Sequence, residues 1–286
     1  MPKSISLVIF ILLFINCKTE TAKVIHSRFE SKMELQGVSK PAIMAHRGRL
    51  NESAPENSLL SFKEIHRFSE DILIEFDVRM TKDSVYVLLH DATLDRTTTG
   101  KGPLDEKSYE ELKEIHLLNE ENEPTTLKIP TFKNALTWAT GKNFLVIDAK
   151  PICNIEHIAQ MISDIGLENN SMVVCYSLKD ALKYQSINPK LLLAVGFNSR
   201  ADIAAIKNSK LSMVNLVALT PTSLQDESFY AEIEEMGVPI AYGTYSTLDE
   251  KSFDSVKAIY EQHAAQFDII TTDRSKQVYD LMMEKN

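Results

Sequence analysis

The sequence lacks an excess of positive charge. Its 286 residues include 31 Lys and Arg against 40 Asp and Glu, so the formal net charge is −9 at pH 7. No basic cluster stands out that could offset the phosphates of a nucleic acid. The composition therefore argues against a nucleic-acid partner. It still allows a small phosphate-bearing substrate, which needs only a local positive site.

Cysteine is also scarce. The three cysteines are Cys17, Cys153 and Cys175, and no metal-binding or nucleophile motif surrounds the last two. In an exported protein these two could form a disulfide, because both fall just after neighbouring predicted strands. We favour buried free thiols.

A hydrophobic run long enough to span a bilayer comfortably is missing at the N-terminus. The apolar run there covers residues 5–15, is preceded by Lys3 and is followed closely by Cys17. This pattern resembles a bacterial lipoprotein signal, in which the cysteine is lipidated and becomes the first residue. Ile15 and Asn16 stand where such signals usually carry small residues. A secretory signal that is cleaved nearby is the alternative.

These features predict three parts of the chain. Residues 1–17 form the signal segment, residues 18–40 a polar tether, and residues 41–286 the folded domain. We therefore expect an exported protein that is anchored to a membrane through a lipidated Cys17. Its predicted location is a bacterial cell envelope, on the periplasmic or the surface side.

The folded part alternates short apolar runs with amphipathic segments. The predicted strands are 43–46, 72–78, 144–150, 172–176, 191–195, 214–219, 238–242 and 268–272. The predicted helices are 59–68, 132–139, 155–165, 179–187, 201–207, 225–236, 251–262 and 275–283. Strands that are each followed by a helix indicate an α/β fold, a (β/α)8 TIM-type barrel. A doubly wound open sheet is the alternative, but no Gly-rich dinucleotide loop follows the first strand.

Residues 93–130 depart from this alternation. The segment is long, polar and charged, with acidic pairs at 105–106, 110–111 and 120–121. Its length predicts an insertion after the hairpin of the second strand rather than a barrel loop. We expect a short helix at 109–117 within it.

Two carboxylates interrupt the apolar second strand. Glu75 and Asp77 are two residues apart, so they share one face of that strand. A polar turn and a returning strand follow. If the hairpin is centred on residues 82 and 83, Glu75 lies opposite His90.

Two acids on one face of an apolar strand indicate a bound cation. A single carboxylate at a strand end is usually just solvated, and a single histidine is usually hydrogen-bonded to the backbone. Burial of a charged pair without a partner costs several kcal/mol. Ligands that offer only oxygen favour a hard cation such as Mg²⁺ or Ca²⁺ over zinc.

Ionisable residues recur at the ends of other predicted strands. They are His46 and Arg47 at the end of the first strand, Asp148 and Lys150 at the end of the third, and Asp273 after the eighth. Active sites of this barrel type lie at the carboxyl ends of the strands. The pattern therefore predicts a site where these ends meet.

An ordered set of motifs covers residues 45–100. These are Ala45-His46-Arg47-Gly48, Pro55-Glu56-Asn57-Ser58, Glu75-x-Asp77-Val78, Thr81-Lys82-Asp83, His90-Asp91 and Leu94-x-Arg96-Thr97-Thr98-x-Gly100. The set resembles the glycerophosphodiester phosphodiesterase family, and the resemblance continues more thinly through Asp148-x-Lys150 and Thr272-Asp273. It implies the same barrel, with an insertion that covers the mouth and shapes substrate access. From the residues alone, a solvated surface excursion is an equal alternative for residues 93–130.

The resemblance implies a metal site and two catalytic histidines. Glu75, Asp77 and Asp148 would bind one divalent cation, Mg²⁺ or Ca²⁺, with Asp148 standing where the family usually carries Glu. His46 would act as general base and His90 as general acid, because imidazoles exchange protons near neutral pH.

The resemblance also implies groups that bind phosphate. Arg47 and Lys150 would neutralise the charge that builds on the phosphate oxygens. The alternative for Lys150 is a plain ion pair with Asp148, which shares its strand face. Glu56 and Asn57 also match the family, although they could simply be residues at the N-terminus of the first predicted helix.

The function implied by the resemblance is metal-dependent hydrolysis of glycerophosphodiesters to sn-glycerol 3-phosphate and an alcohol. One alternative is a lysophospholipid or sphingolipid phosphodiesterase of the same barrel type. Another is a non-catalytic envelope lipoprotein that uses the barrel as a binding module. The chain reads Tyr242-Gly243-Thr244 where family members often carry Trp-Thr, a departure that concerns the glycerol or alcohol pocket.

Overall fold

The computed structural model describes residues 41–51 and 54–284 of the chain. The predicted signal segment, the tether and Cys17 lie outside the described residues. Within these residues, no helix combines the length and the apolar composition needed to cross a membrane.

Strands and helices alternate along the described chain. The strands are β1 (Ala42–Ala45), β2 (Leu73–Met80), β3 (Tyr86–Leu88), β4 (His116–Leu118), β5 (Pro124–Lys128), β6 (Leu145–Ala149), β7 (Ser171–Cys175), β8 (Leu192–Gly196), β9 (Leu216–Thr220), β10 (Ile240–Gly243) and β11 (Ile269–Thr272). The helices are α1 (Leu59–Phe68), α2 (Tyr109–Leu112), α3 (Phe132–Ala139), α4 (Ile155–Ile165), α5 (Leu178–Ile187), α6 (Arg200–Lys207), α7 (Glu227–Glu234), α8 (Phe253–Ala264) and α9 (Ser275–Met283).

Eight parallel strands, β1, β2 and β6 to β11, form a closed barrel. Strand β1 pairs with β2 on one side and with β11 on the other, so the sheet has no free edge in the barrel. The predicted (β/α)8 barrel is therefore confirmed, and the open doubly wound sheet is excluded. The predicted limits of α1, α3, α4 and α9 agree with the structure residue for residue.

Local signals explain where the helices begin and end. The hydroxyl of Ser58 accepts a hydrogen bond from the backbone N–H of Ser61 and caps α1. Thr131 and Asn134 form a reciprocal capping box at the start of α3. Helix α4 ends at Gly166, whose φ of 73° favours a residue without a side chain.

Side-chain alternation in the strands separates two cores. Met44, Leu73 and Val146 belong to the core inside the barrel. Ile74 and Phe76, on the opposite face of β2, belong to the core between the barrel and its helices. The predicted facing of β2 is therefore correct.

The register of the β2–β3 hairpin differs from the prediction by one residue. Val78 pairs with Leu88 and Met80 with Tyr86, so the predicted pairing of Glu75 with His90 is wrong. The cause is a three-residue turn in which Ser84 has a φ of 64°. This left-handed residue lengthens the turn by one position relative to a two-residue hairpin.

The insertion at residues 93–130 is present, but its predicted helix at 109–117 is too long. Helix α2 ends at Leu112, and β4 then pairs with β5 in a second, two-stranded sheet. Leu112, Leu117 and Leu94 belong to a small hydrophobic core within the insertion. At the tip of this hairpin, Glu120 Oε1 lies 3.0 Å from Arg49 Nη2, beside the end of β1. The contact favours the mouth-covering position over a solvated excursion.

The two cysteines within the described chain are free and buried. Burial raises the pKa of the Cys153 thiol to about 12, and it also raises the pKa of Cys175. Both thiols are therefore protonated and unreactive at neutral pH. This agrees with the predicted buried free thiols.

Candidate active site

The inner face of the barrel changes from apolar to ionisable toward the carboxyl ends of the strands. On β2, Glu75 and Asp77 occupy the two inward positions that follow Leu73. On β6, Asp148 occupies the inward position that follows Val146. The register pairs Asp77 with Asp148 directly. One carboxylate oxygen from each of the three acids lies within 4.8 Å of the others, as the sequence predicted.

Lys150 lies against these carboxylates. Its Nζ is 2.6 Å from Asp77 Oδ1 and 2.6 Å from Asp148 Oδ2. Burial lowers the pKa of Lys150, but the charges of Asp148 and Asp77 outweigh burial and raise it above its usual range. Burial and the charges of Asp77 and Asp148 raise the pKa of Glu75 well above its usual range. Three acids beside one ammonium therefore crowd more negative charge than Lys150 can balance.

This donor set fits a hard divalent cation. All three acids offer oxygen, the ligand that Mg²⁺ and Ca²⁺ prefer, whereas zinc sites usually include nitrogen or sulfur. Glu75 is 6% exposed and Asp77 is 1% exposed, so solvent cannot disperse their charge. The carboxylate cluster thus has the chemistry and the burial of a cation site.

Asn57 has a role that its position before α1 did not reveal. Its Nδ2 donates to Asp77 Oδ2 at 2.8 Å, and its Oδ1 accepts from the Asp77 backbone N–H at 2.9 Å. The cap of α1 is Ser58 instead. Asn57 has a φ of 55°, which asparagine tolerates better than most residues. It therefore fixes the orientation of one carboxylate of the cluster.

Sequence reasoning missed Tyr176. Its hydroxyl donates to Asp148 Oδ1 at 2.6 Å, on the side away from the Lys150 contact at Oδ2. Burial and the charge of Asp148 raise the pKa of the Tyr176 hydroxyl. Its spacing in the sequence could have identified it. Val174 faces the inside of the barrel, and Tyr176 stands two residues later, at the next inward position after β7.

His46 lies in a short 3-10 turn that follows β1. Its Nδ1 lies 2.9 Å from Asp273 Oδ1, and its ring stacks on Tyr245 with centroids 4.0 Å apart. A carboxylate only accepts hydrogen bonds, so this contact assigns the proton to Nδ1 and leaves Nε2 for other partners. The next residue, Arg47, has a φ of 54° and donates its backbone N–H to Glu75 Oε2 at 2.7 Å. The turn therefore connects the histidine directly to the carboxylate cluster.

A buried network holds Asp273 in place. Asp249, 8% exposed, accepts hydrogen bonds through Oδ2 from the Asp273 backbone N–H at 2.7 Å and from the Thr272 hydroxyl at 2.9 Å. Its Oδ1 accepts from the hydroxyls of Tyr260 and Thr244. No sequence motif marked Asp249, which lies between β10 and α8.

His90 follows β3 and has its own carboxylate partner. Its Nδ1 lies 2.7 Å from Asp91 Oδ1, and its backbone carbonyl accepts from Arg79 Nε at 2.7 Å. Hydrogen bonds from Arg96, which outweigh burial, lower the pKa of Asp91 below its usual range. Asp91 therefore stays ionised, which assigns the proton of His90 to Nδ1 in the same way as for His46.

Glu56 is a buried carboxylate surrounded by arginines. It is 5% exposed, and it accepts from Arg47 Nη1 at 3.2 Å, Arg49 Nη2 at 2.9 Å and Arg96 Nη2 at 2.8 Å. Burial raises the pKa of Glu56, but the hydrogen bond from Arg96 and the charges of all three arginines prevail and lower it to about 2. The alternative of a plain residue before α1 does not account for these contacts.

The structure thus brings the predicted residues to one end of the barrel. Direct contacts join the three acids with Lys150, Asn57 and the backbone of Arg47. His46 is adjacent through Arg47, and His90 connects to the same group through Asp91, Arg96 and Glu56.

Such a closed barrel, with ionisable side chains gathered at the carboxyl ends of its strands, is the arrangement of barrel enzymes. The sequence model described as the glycerophosphoryl diester phosphodiesterase family matches residues 46–274. The chain belongs to that family.

Solved structures and curated proteins resemble the chain over different lengths. A glycerophosphoryl diester phosphodiesterase from Parabacteroides distasonis superposes with a TM-score of 0.81 at 27% identity, covering 91% of this chain and 92% of that one. An Oleispira antarctica phosphodiesterase in complex with the product sn-glycerol-3-phosphate shares the fold, with a TM-score of 0.66 at 19% identity over 85% of this chain and 97% of that one.

Curated relatives match over shorter stretches. Glycerophosphodiester phosphodiesterase 1 of Mus musculus is 31% identical over 163 residues, which are 53% of this chain and 47% of that protein. An uncharacterized Bacillus subtilis protein is 31% identical over 153 residues, which are 53% of this chain and 56% of that protein. The chain thus spans about half the length of these two relatives.

Proposed function

We propose that this protein hydrolyses glycerophosphodiesters to sn-glycerol 3-phosphate and an alcohol. The observation that carries the proposal is a buried carboxylate cluster, Glu75, Asp77 and Asp148, flanked by two histidines that each contact an aspartate. Membership in the family supports it, and so does the product complex of the Oleispira antarctica phosphodiesterase. Metal dependence and the histidine roles are part of the proposal.

The two histidines supply the proton transfers. His46 Nε2 takes a proton from the attacking water as the water oxygen bonds to phosphorus. His90 Nε2, protonated beforehand, gives its proton to the departing alcohol oxygen as that P–O bond breaks. Each transfer is typically worth about 10²–10⁴ in rate. Asp273 stabilises the imidazolium that forms on His46, and Asp91 stabilises the imidazolium that His90 carries before it gives up its proton.

Positive groups bind the phosphate. Arg47 Nε is buried and has no hydrogen-bond partner within the described residues, and its guanidinium adds one positive charge beside the carboxylate cluster. Lys150 lies between Asp77 and Asp148 and adds a second positive charge. Glu75, Asp77 and Asp148 would hold one Mg²⁺ or Ca²⁺, which supplies further charge neutralisation when bound.

A second candidate substrate class rests on exposed apolar side chains near the mouth. Ile152, Tyr176, Leu224 and Tyr245 are 40%, 51%, 53% and 36% exposed, and they follow β6, β7, β9 and β10. Side chains of this kind at the carboxyl ends of the strands suit a substrate with an apolar portion. They favour a lysophospholipid or sphingolipid as the alternative substrate.

The proposed location is a bacterial envelope, with the chain exported and anchored through Cys17. The support is the N-terminal sequence. Replacement of Cys17 by serine, followed by membrane fractionation and labelling with a radioactive fatty acid, tests it. Loss of label and release from the membrane are expected, and unlabelled wild-type protein would contradict lipidation.

The decisive experiment uses protein that starts near residue 18, stripped with a chelator and supplied with glycerophosphocholine. Release of glycerol 3-phosphate is followed with Mg²⁺, Ca²⁺ or no metal, for the wild type and for His46→Ala. Turnover that one ion restores and the variant lacks is expected. Cleavage of lysophosphatidylcholine instead would favour the lipid substrate. If neither substrate is hydrolysed, the non-catalytic binding module becomes the better interpretation.

A further inference from the structure

Arg96 occupies a bridging position between two acids. Its Nε and Nη2 donate to Asp91 Oδ2 and Oδ1 at 2.7 and 3.0 Å. Its Nη1 and Nη2 donate to Glu56 Oε2 and Oε1 at 3.1 and 2.8 Å. One guanidinium therefore makes paired contacts with both carboxylates, a geometry that its planar fork permits and a lysine ammonium does not.

The two acids belong to different sides of the site. Asp91 contacts the imidazole of His90 at 2.7 Å. Glu56 contacts Arg47, whose backbone N–H reaches Glu75 in the carboxylate cluster. Arg96 thus connects the histidine that follows β3 to the group assembled at the end of β1.

We infer that Arg96 is a positioning residue that fixes the ring of His90, acting through Asp91 and held in place by Glu56. The inference rests on the proposed function, because it concerns the proton that His90 transfers. Nothing in the contacts places Arg96 itself on the substrate.

The anchoring end explains why this arrangement is rigid. Glu56 is 5% exposed and is held by three arginines, so it has little freedom to move. Arg96 donates to it from two nitrogens, whereas Arg47 and Arg49 each donate from one. Asp91, by contrast, is 27% exposed at its side chain and lies in a loop after β3. Without Arg96, the Asp91 carboxylate would lose the two hydrogen bonds that fix its orientation and favour its ionised form.

Because the Arg96 side chain is partly exposed, its positioning role can be tested without a large loss of stability. The side chains of Arg96 and Asp91 are 44% and 27% exposed, and an ion pair with that much solvent contact contributes little to the free energy of unfolding. Glu56 also keeps two other arginines when Arg96 is lost. Arg96→Gln should therefore fold, and its effect should appear in the chemistry of His90.

The test compares leaving groups across Arg96→Gln, Arg96→Lys and His90→Ala. One substrate is glycerophosphocholine, whose alkoxide needs a proton as it departs. The other is a glycerophosphodiester of nitrophenol, whose phenolate departs without one. Arg200→Gln is the matched control, because Arg200 is 45% exposed and also bridges two acids, Asp226 and Glu232, on the α6–α7 side of the barrel.

We expect Arg96→Gln to reproduce the leaving-group pattern of His90→Ala with a smaller loss. Its kcat for glycerophosphocholine should fall about 10- to 100-fold, the usual size for loss of a group that orients a functional ligand or base. Arg96→Lys should recover only part, and Arg200→Gln should match the wild type. A pattern for Arg96→Gln that differs from that of His90→Ala, or no loss at all, overturns the inference.

A measurement without turnover distinguishes this inference from the proposed function. In isotope-labelled protein, the nitrogen chemical shifts of His90 report which ring nitrogen carries the proton. At a pH where the imidazole of His90 is neutral, a single Nδ1–H tautomer is expected in the wild type and in Arg200→Gln, and a mixture of tautomers in Arg96→Gln. An unchanged tautomer in Arg96→Gln refutes the positioning role even if the protein hydrolyses neither substrate. Inactivity of the wild type with the expected shift change would refute only the proposed function.

Discussion

His46 Nδ1 lies 2.9 Å from Asp273 Oδ1, across the pair of strands that closes the barrel. His46 follows β1, and Asp273 follows β11, the partner of β1. The two residues are 227 positions apart in the chain, so their contact depends on the pairing of β1 with β11 that closes the barrel. The buried carboxylate of Asp249 fixes the backbone of Asp273 from behind.

Asp273→Asn should lower kcat with little change in KM. The amide keeps the shape of the side chain but removes the negative charge that stabilises a protonated His46. A loss of up to about 10²-fold is expected, part of the contribution of one proton transfer. The measurement is steady-state hydrolysis of glycerophosphocholine, with the exposed Asp254 replaced by Asn as the control. An equal loss in the control, or none in Asp273→Asn, would contradict the contact's role.

Divalent cation should stabilise the chelator-stripped protein against heat. A ligand that binds only the folded state adds about 2.7 kcal/mol at a concentration of 100 times its Kd. Glu75→Gln removes one oxygen charge from the cluster and should abolish most of that gain. The melting temperature is measured with and without Mg²⁺ or Ca²⁺, beside Glu234→Gln, an exposed acid on α7. If Glu75→Gln shifts with the ion as much as the wild type, the cluster is not the site.

Residues within one strand could be predicted, whereas contacts between distant segments could not. Period-two alternation placed Glu75 with Asp77 and Asp148 with Lys150, because facing follows from spacing alone. The Tyr176–Asp148 contact depends on how neighbouring strands stagger around the barrel.

The conformations of loops could not be predicted from the sequence either. The predicted β2–β3 register is wrong because of one left-handed residue, Ser84, and no strong sequence signature marks that conformation. The contacts of Asp249 and Arg96 likewise depend on loop paths that hydrophobic patterning does not specify.

The stability of the protein should depend on Glu56 between pH 5 and pH 2. The folded pKa of Glu56 is lowered from an ordinary 4.5 to about 2, which corresponds to about 3 kcal/mol as an upper, order-of-magnitude figure. A lowered folded pKa gives stability that is present above the unfolded pKa and is lost as the pH falls toward the folded one. Glu56→Gln should therefore be less stable than the wild type at pH 7.

The same difference should shrink as the pH falls below 4.5, because the unfolded wild-type chain then takes up a proton at Glu56 while the folded protein still holds the ionised carboxylate. Urea denaturation at pH 7, 4.5 and 3 measures it, and Glu234→Gln again serves as the exposed control. A difference between Glu56→Gln and the wild type that stays constant down to pH 3 would mean that packing, not charge, accounts for the loss.

Gly243→Ala should disturb His46 through Tyr245. A Cβ at position 243 would lie 2.6 Å from Cε1 of the Tyr245 ring, which stacks on His46. The ring must move, and the imidazole loses the surface that holds it parallel. We expect kcat to fall in both Gly243→Ala and Tyr245→Ala. Because both act through one ring, the double variant should be no worse than Tyr245→Ala alone. Additive losses in kcat would show instead that Gly243 acts by a separate route, such as direct contact with the substrate.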